Sequence, residues 1–89
     1  MISDADFNRR IALLLGWDAD VIDRNPGILL HPWSTDQLAA ACEKVGVVEA
    51  EYDGLGRWMM KLNDRDWKGG ETFRLALLAA LRAWAEAQP

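Results

Sequence analysis

The segment VVEAEYDGLGRWMMKLN, residues 47–63, constrains the fold of this chain more than any other. Apolar and polar residues alternate with a period of two on both sides of Gly-Leu-Gly, a pattern typical of a β-hairpin. A three-residue loop from Gly54 to Gly56 sets apolar residues opposite apolar ones, whereas a slip of one residue would reverse the faces of a strand. The predicted pairs are Tyr52 with Trp58, Ala50 with Met60, Val48 with Leu62, Asp53 with Arg57 and Glu49 with Lys61.

Helical periodicity of apolar residues appears in three segments outside the hairpin. Between the first two, the periodicity is lost, and the turn signal Asn25-Pro26-Gly27 predicts an ordered loop with a short strand at 27–30. No repeat or linker interrupts the chain, so we expect residues 1–89 to form a single domain of the α+β class. Its arrangement is a small layered α/β/α domain in the order helix, short strand, helix, hairpin, helix. The predicted helices cover about residues 4–15, 35–45 and 71–87.

The stretch HPWSTDQL, residues 31–38, could be a nucleophile with its base or the start of a helix. With Ser34 as the N-cap, Gln37 falls at the N3 position and completes a capping box. Trp33 and Leu38 then occupy the two positions of a hydrophobic staple. Helix entry therefore explains this stretch better than catalysis does.

The other residues that could carry chemistry have simpler structural interpretations. His31 is the only histidine and precedes a proline in a loop, so we expect a satisfied or exposed loop histidine without a catalytic role. Cys42 lies on an apolar helix stripe, where a free cysteine packs as a small hydrophobe. Asp18, Asp20 and Asp23 lack the central glycine and terminal glutamate of a calcium loop, which favours a solvated acidic loop. No phosphate loop, Cys/His cluster or serine elbow is present. We therefore expect no enzyme, no cofactor and no bound metal.

Charge and hydropathy limit the kinds of partner that this chain would bind. Fourteen acidic residues against ten basic ones give a net charge of −4, which opposes the neutralisation of phosphates and makes nucleic acid an unexpected partner. The single cysteine and the lack of an export leader indicate a reducing cytoplasm. Arg74 and Arg82 interrupt the apolar C-terminal segment, so no membrane partner is expected.

The last predicted helix is apolar on nearly every side. Leu75 and Leu78 form a second stripe opposite the main one, beside Arg74 and Arg82. Such a helix is usually packed between two layers, but the second stripe could also contact a partner or another copy of the chain. The main stripe comprises Phe73, Ala76, Leu77, Ala80, Leu81 and Trp84.

Tryptophan is the unusual residue of this chain, with five in 89 residues. Trp58 and Trp84 fall on stripes assigned to the core, whereas the other three lie at element boundaries. A boundary tryptophan either closes the end of a small core or anchors a partner, because tryptophan is enriched among interface hot spots. The candidate partner-binding residues are Trp17, Trp33, Trp67, Asp18, Asp20, Leu75, Leu78 and Arg82.

Four segments, which together span most of the chain, carry motifs in a characteristic order. They are NRRIALLLGW at 8–17, WSTDQLAAACEKV at 33–45, a tryptophan-bearing hairpin and FRLALLAALRAW at 73–84. Together they resemble the small phage proteins grouped as the phage ABA-sandwich domain, although Trp33 stands where that family tends to have tyrosine. The resemblance implies an α/β/α layered fold encoded by phage or prophage, located in the cytoplasm of a bacterial host, and it brings no catalytic residues.

Two hypotheses about function follow, from different classes. The first is a small, non-enzymatic phage or prophage protein that binds a host or phage protein, in one form as an anti-CRISPR-like inhibitor of a host defence complex. Its basis is the small size, the acidic charge, the boundary tryptophans and the lack of catalytic motifs. The second is a small-ligand or nucleotide-binding protein with an aromatic pocket. A homo-oligomer formed through the last helix is compatible with both.

Overall fold

The computed structural model describes residues 2–30, 32–63 and 65–88, apart from the side chain of Leu30. Within these residues, three α-helices and a 3-10 helix precede a three-stranded antiparallel sheet with the strand order β1-β2-β3, and one α-helix follows it. The elements are α1 Asp4–Leu14, α2 Ala19–Arg24, a 3-10 helix Pro26–Leu30, α3 Thr35–Val45, β1 Val48–Tyr52, β2 Trp58–Leu62, β3 Lys68–Gly70 and α4 Phe73–Glu86. The α+β class and the sequence of helices around a hairpin are confirmed.

Strands β1 and β2 form the predicted hairpin. Gly54 and Gly56 adopt positive φ values of 78° and 91°, which glycine does without steric cost. The Asp53 carboxylate accepts from the backbone N–H groups of Leu55 and Arg57 at 2.8 and 3.1 Å and so fixes the loop. The predicted register is confirmed, with Val48 opposite Leu62, Glu49 opposite Lys61, Ala50 opposite Met60 and Tyr52 opposite Trp58.

Helix α4 lies between the sheet and the other helices. It packs against β2 and β3 on one side and against α3 and α1 on another. The second stripe of this helix divides, because Leu78 is half-buried against the core while Leu75 is 44% exposed. The main stripe of α4 therefore packs in or against the core, as expected. Of the second stripe, only Leu78 does so. The buried residues of the helix are Ala76, Leu77, Ala80, Leu81 and Ala85.

The chain between α1 and α3 differs from the sequence-based expectation. The prediction of a strand at 27–30 is wrong, because this segment belongs to the 3-10 helix. The Asn25 carbonyl accepts from the Ile28 N–H at 3.0 Å, and Pro26 has the fixed φ of a helical first residue. The preceding six-residue helix α2 was expected to be loop, and it is too short to produce a recognisable apolar period.

Helix α3 begins at the predicted capping box. The Ser34 hydroxyl accepts from the Gln37 N–H at 3.1 Å, and the Gln37 side-chain oxygen accepts from the Ser34 N–H at 3.0 Å. Farther along the helix, Cys42 is fully buried in the core, as predicted. Burial raises the pKa of the Cys42 thiol to about 12, with a smaller contribution from Glu43, so the thiol stays protonated at neutral pH. The hypothesis about His31 lies outside the described residues.

Strand β3 pairs with β2 although its sequence, Lys-Gly-Gly, has low strand propensity. Gly70 permits a close approach to α4. A Cβ at this position would lie 2.5 Å from the backbone nitrogen of Ala76 and 2.8 Å from the carbonyl carbon of Leu75. Because both neighbours are backbone atoms of a packed helix, neither can move away without displacing α4.

Replacing Gly70 with alanine should therefore destabilise the fold. We expect Gly70→Ala to lower the free energy of unfolding by about 1–3 kcal/mol, the usual cost of overpacking. Gly27→Ala is the matched control, because a Cβ there would meet nothing within 4 Å, and its effect should stay within about 0.5 kcal/mol. Urea unfolding followed by tryptophan fluorescence measures both. Equal effects of the two substitutions would contradict the close approach of β3 and α4.

Candidate functional site

A cavity of about 380 Å³ opens between α1, α4 and the segment that precedes α3. Phe7 and Trp33 are buried and form part of its floor. At its rim, the side chains of Asp4 and Arg82 are 88% and 37% exposed, so the cavity is open to solvent. We name this cavity the arginine bowl. Its lining residues are Asp4, Phe7, Asn8, Leu29, Pro32, Trp33, Arg74, Leu78 and Arg82.

Helix α4 supplies Arg74, Leu78 and Arg82 to the arginine bowl. These residues are four apart in sequence, and such a spacing places them above one another on one face of a helix. This face borders the buried stripe of α4, which packs against the sheet and α3. One helix therefore supplies both the core and one wall of the bowl.

Trp33 is held in place by contacts from three parts of the chain. Its indole N–H donates to the Asn8 side-chain oxygen at 3.0 Å, and its carbonyl accepts from Nε of Arg74 at 2.8 Å. Its ring centroid lies 5.3 Å from that of Trp17. The side-chain amide of Asn8 also donates to the Leu29 carbonyl at 3.3 Å, which ties α1 to the 3-10 helix. With 5% exposure, Trp33 contributes a rigid apolar surface to the bowl.

Arg82 is stacked and paired at the rim of the bowl. Its guanidinium carbon lies 4.5 Å from the centroid of the Phe7 ring, a cation–π distance. Its Nη2 donates to Oδ1 of Asp4 at 2.7 Å. Asp4 belongs to the first turn of α1, where the helix dipole also favours a negative charge. The Phe7 ring thus supports the arginine, while Asp4 contacts one end of its guanidinium.

The arginine bowl differs in charge from the molecule as a whole. Two arginines and one aspartate leave it with a net charge of +1, whereas the chain carries −4. An arginine presents a planar set of donors that matches carboxylates and phosphates. Together with the apolar floor, this arrangement suits the binding of a ligand group that combines an anion with an apolar stem.

Three of the predicted partner-binding residues come together in the bowl. Trp33, Leu78 and Arg82 all line it, and Trp17 packs against Trp33. The sequence hypothesis left open whether Trp33 is occupied by packing or keeps a free face. The ring is almost wholly occupied, and the small remaining surface belongs to the bowl.

Trp67 and Leu75 are not among the lining residues of the bowl. The Trp67 ring centroid is 5.3 Å from the ammonium group of Lys61, and Trp67 is 37% exposed. Leu75 is exposed but does not line the bowl. Leu75 is nevertheless adjacent to Arg74 on α4 and one turn from Leu78.

Asp18 and Asp23 have local structural roles at α2, and Asp20 is exposed in its first turn. The Asp18 carboxylate accepts from the N–H groups of Asp20 and Val21 at 2.9 and 3.1 Å and caps the helix. Asp23 pairs with Arg9 at 3.2 Å, and its hydrogen bond raises the pKa of the Arg9 guanidinium. Over residues 2–30, 32–63 and 65–88, no group of three His, Cys, Asp or Glu residues is arranged to hold a metal ion.

Sequence reasoning did not place Asp4, Phe7, Asn8 or Arg74 in a site. Arg74 had a usable signal, because R-x-x-x-L-x-x-x-R at 74–82 puts two cations and an apolar residue on one helix face. Asp4, Phe7 and Asn8 had no such signal. Asp4 and Phe7 meet Arg82 of α4 only after folding, across up to 78 positions in the sequence, and Asn8 meets Trp33 across 25 positions.

Two other surface features combine fewer charged groups than the arginine bowl does. A second cavity of about 300 Å³, between the ends of α1 and α4, is lined by Arg10, Leu13, Leu14, Trp84 and Gln88. Arg10 already donates to the Ala85 carbonyl at 2.9 Å. At the hairpin tip, Leu55 is 88% exposed. In the part of the chain that the structure describes, no helix has both the length and the apolarity needed to cross a bilayer.

Comparison with protein-family models, curated proteins and solved structures finds no match to this chain. The resemblance to the phage ABA-sandwich domain therefore stays a prediction from short motifs, and the residues of the bowl carry the functional interpretation.

The contact between Asn8 and Trp33 can be tested by mutation. Asn8→Ala should leave the largely buried indole N–H without its partner and lower the free energy of unfolding by about 1–3 kcal/mol. Asn25→Ala is the control, because the Asn25 side chain makes an exposed hydrogen bond to the Val21 carbonyl. Its effect should stay within about 0.5 kcal/mol. Urea unfolding of both variants makes the comparison, and similar losses would mean that Asn8 does not hold Trp33.

Proposed function

We propose that this protein is a non-enzymatic binding protein and that the arginine bowl is its contact surface for a protein partner. The observation that carries the proposal is the convergence of Arg74, Leu78 and Arg82 from α4 with Trp33 in one open recess. Tryptophan and arginine are the residue types most enriched among interface hot spots. The bowl joins both types on a rigid support.

The composition of the bowl supports a protein partner. Interfaces between proteins combine an apolar centre with a polar rim. Phe7 and Trp33 supply the apolar centre, and Asp4 and Arg82 supply the charged rim. Hydrogen bonds already fix Trp33, and stacking supports Arg82. Binding of a partner would therefore cost little conformational entropy for the ordering of these two side chains.

A small-ligand binding protein is the second candidate, and the volume of the bowl favours it. Cavities that bind small molecules measure roughly 300–1,000 Å³ and enclose about 70–90% of the ligand surface. The volume of about 380 Å³ lies in this range. The exposed rim of Asp4 and Arg82 favours a protein partner instead, because it leaves one side of any bound molecule in solvent.

Reversal of the rim charge should strongly weaken partner binding. Tagged wild-type protein, Arg82→Glu and Arg24→Glu would be incubated with bacterial lysate, and the captured proteins quantified by mass spectrometry. Both substitutions change the net charge equally, but Arg24 is exposed on α2, outside the bowl. We expect a stoichiometric partner on wild-type protein and Arg24→Glu, and at least about a tenfold loss on Arg82→Glu, since a charge reversal at a hot spot costs over about 1.4 kcal/mol.

Equal capture by the two variants would contradict the bowl as the contact surface. Absence of any stoichiometric partner, combined with a change of tryptophan fluorescence on adding a nucleotide or metabolite, would favour the small-ligand function. A partner that proves to be a second copy of the chain would favour the homo-oligomer through α4.

The finer form of the proposal is a phage or prophage protein that acts in the cytoplasm of a bacterial host, as an anti-CRISPR-like inhibitor of a defence complex. Its support is the motif resemblance at 8–17, 33–45 and 73–84, the small size and the acidic charge. Inhibition by binding requires a stable contact surface and no catalytic group. The arginine bowl meets the first requirement.

An interference assay tests this finer form. Expression in a bacterium with an active CRISPR system should restore plaque formation by a targeted phage by at least about tenfold, because a tightly bound inhibitor removes most of the active complex. The Arg82→Glu variant, expressed to the same level, should restore far fewer plaques than Arg24→Glu. Full interference in the presence of wild-type protein would exclude inhibition of the system tested.

A further inference from the structure

We propose that the arginine bowl receives a carboxylate-bearing side chain of a partner protein, and that Asp4 occupies the place of this carboxylate in the unbound protein. This inference rests on the proposed function and names the chemical group that the bowl recognises.

The contact of Asp4 with Arg82 shows how a carboxylate binds at the rim of the bowl. Its Oδ1 lies 2.7 Å from Nη2 of Arg82, while the Phe7 ring, 4.5 Å from the guanidinium carbon, keeps the arginine in place. A single oxygen–nitrogen contact uses only part of the donor set of a guanidinium, which can hold a carboxylate through two parallel hydrogen bonds. A partner carboxylate with a better approach can therefore make more contacts than Asp4 does.

The Asp4–Arg82 pair is weak enough to be displaced. The two side chains are 88% and 37% exposed, and solvent screens the attraction between exposed charges. The arginine itself does not have to move, because its stacking on Phe7 does not involve Asp4. Asp4 thus acts as a removable competitor at the rim, while the binding group remains in position.

The rest of the bowl fits the stem of an acidic side chain. Trp33 and Leu78 provide apolar surface below the rim, against which the methylene groups of a glutamate can pack. Arg74 lines the same cavity while its Nε donates to the Trp33 carbonyl, so the lining carries a second positive charge. Displacement of Asp4 would leave the lining with two positive charges and without its negative charge.

The charge of the whole chain favours a single carboxylate over a nucleic acid. A nucleic acid binds by neutralising several phosphates along a basic surface. Here two arginines lie in one recess of a molecule with a net charge of −4. At about 0.15 M salt the screening length is about 8 Å, so a short acidic segment is attracted within the bowl and only weakly repelled by distant charges.

The test is an NMR titration with an unlabelled hexaglutamate peptide in about 0.15 M NaCl. The ¹⁵N-labelled wild-type protein, Asp4→Asn and Asp6→Asn would be compared through the indole signal of Trp33 and the Nε signal of Arg82. Asp6 is the matched control, because it is an exposed aspartate in the same first turn of α1 and does not line the bowl. Both substitutions remove one negative charge and the same dipole contribution.

We expect the peptide to shift both signals, and Asp4→Asn to bind it about two- to fivefold more tightly than wild-type protein, the range for release of an exposed ion pair. Asp6→Asn should change the affinity by less than about 1.5-fold, because its charge is outside the bowl and screened. Thermal unfolding of each variant checks that the fold is retained.

Equal affinities for Asp4→Asn and Asp6→Asn would overturn the displacement of Asp4. A phosphoserine hexapeptide that shifts the same signals at lower concentrations than hexaglutamate would overturn the carboxylate in favour of phosphate. If Arg82→Glu abolishes partner capture while hexaglutamate shifts neither signal in Asp4→Asn, the proposed function stands and the carboxylate inference fails.

Discussion

The position of α4 between the sheet and the other helices is the constraint on which the rest of this structure depends. Its buried stripe must contact β2, β3 and α3 at the same time, and Gly70 permits the close approach that this packing requires. The packing leaves the face with Arg74, Leu78 and Arg82 at the border of the core. The arginine bowl is therefore a consequence of how the central helix is packed.

Local interactions made much of the fold predictable from the sequence. The register of the hairpin follows from apolar alternation around Gly54 to Gly56, and the start of α3 follows from the capping residues Ser34 and Gln37. The 3-10 helix and β3 were not predictable in this way. Their residues have weak propensities of their own, and tertiary contacts decide their conformation, such as the burial of Leu29 and the contact of Gly70 with α4.

The candidate site was predictable only in part, for a related reason. Trp33, Leu78 and Arg82 were selected from residue type and helical position, and all three line the bowl. Asp4 and Phe7 belong to the N-terminal helix, and nothing in one sequence shows that they meet a residue near the other end of the chain. Asp18 and Asp20 were candidates at the start of α2; the Asp18 carboxylate caps that helix, and neither residue lines the bowl.

The central claim is that the α4 face with Arg74, Leu78 and Arg82 is where a partner binds. Hydrogen–deuterium exchange of the protein in complex with its captured partner tests this most directly. The account predicts slower exchange in residues 74–82 and in the first turn of α1 at Asp4, with no change at the hairpin tip around Leu55. Protection centred on the hairpin tip, with unchanged exchange at 74–82, would contradict it.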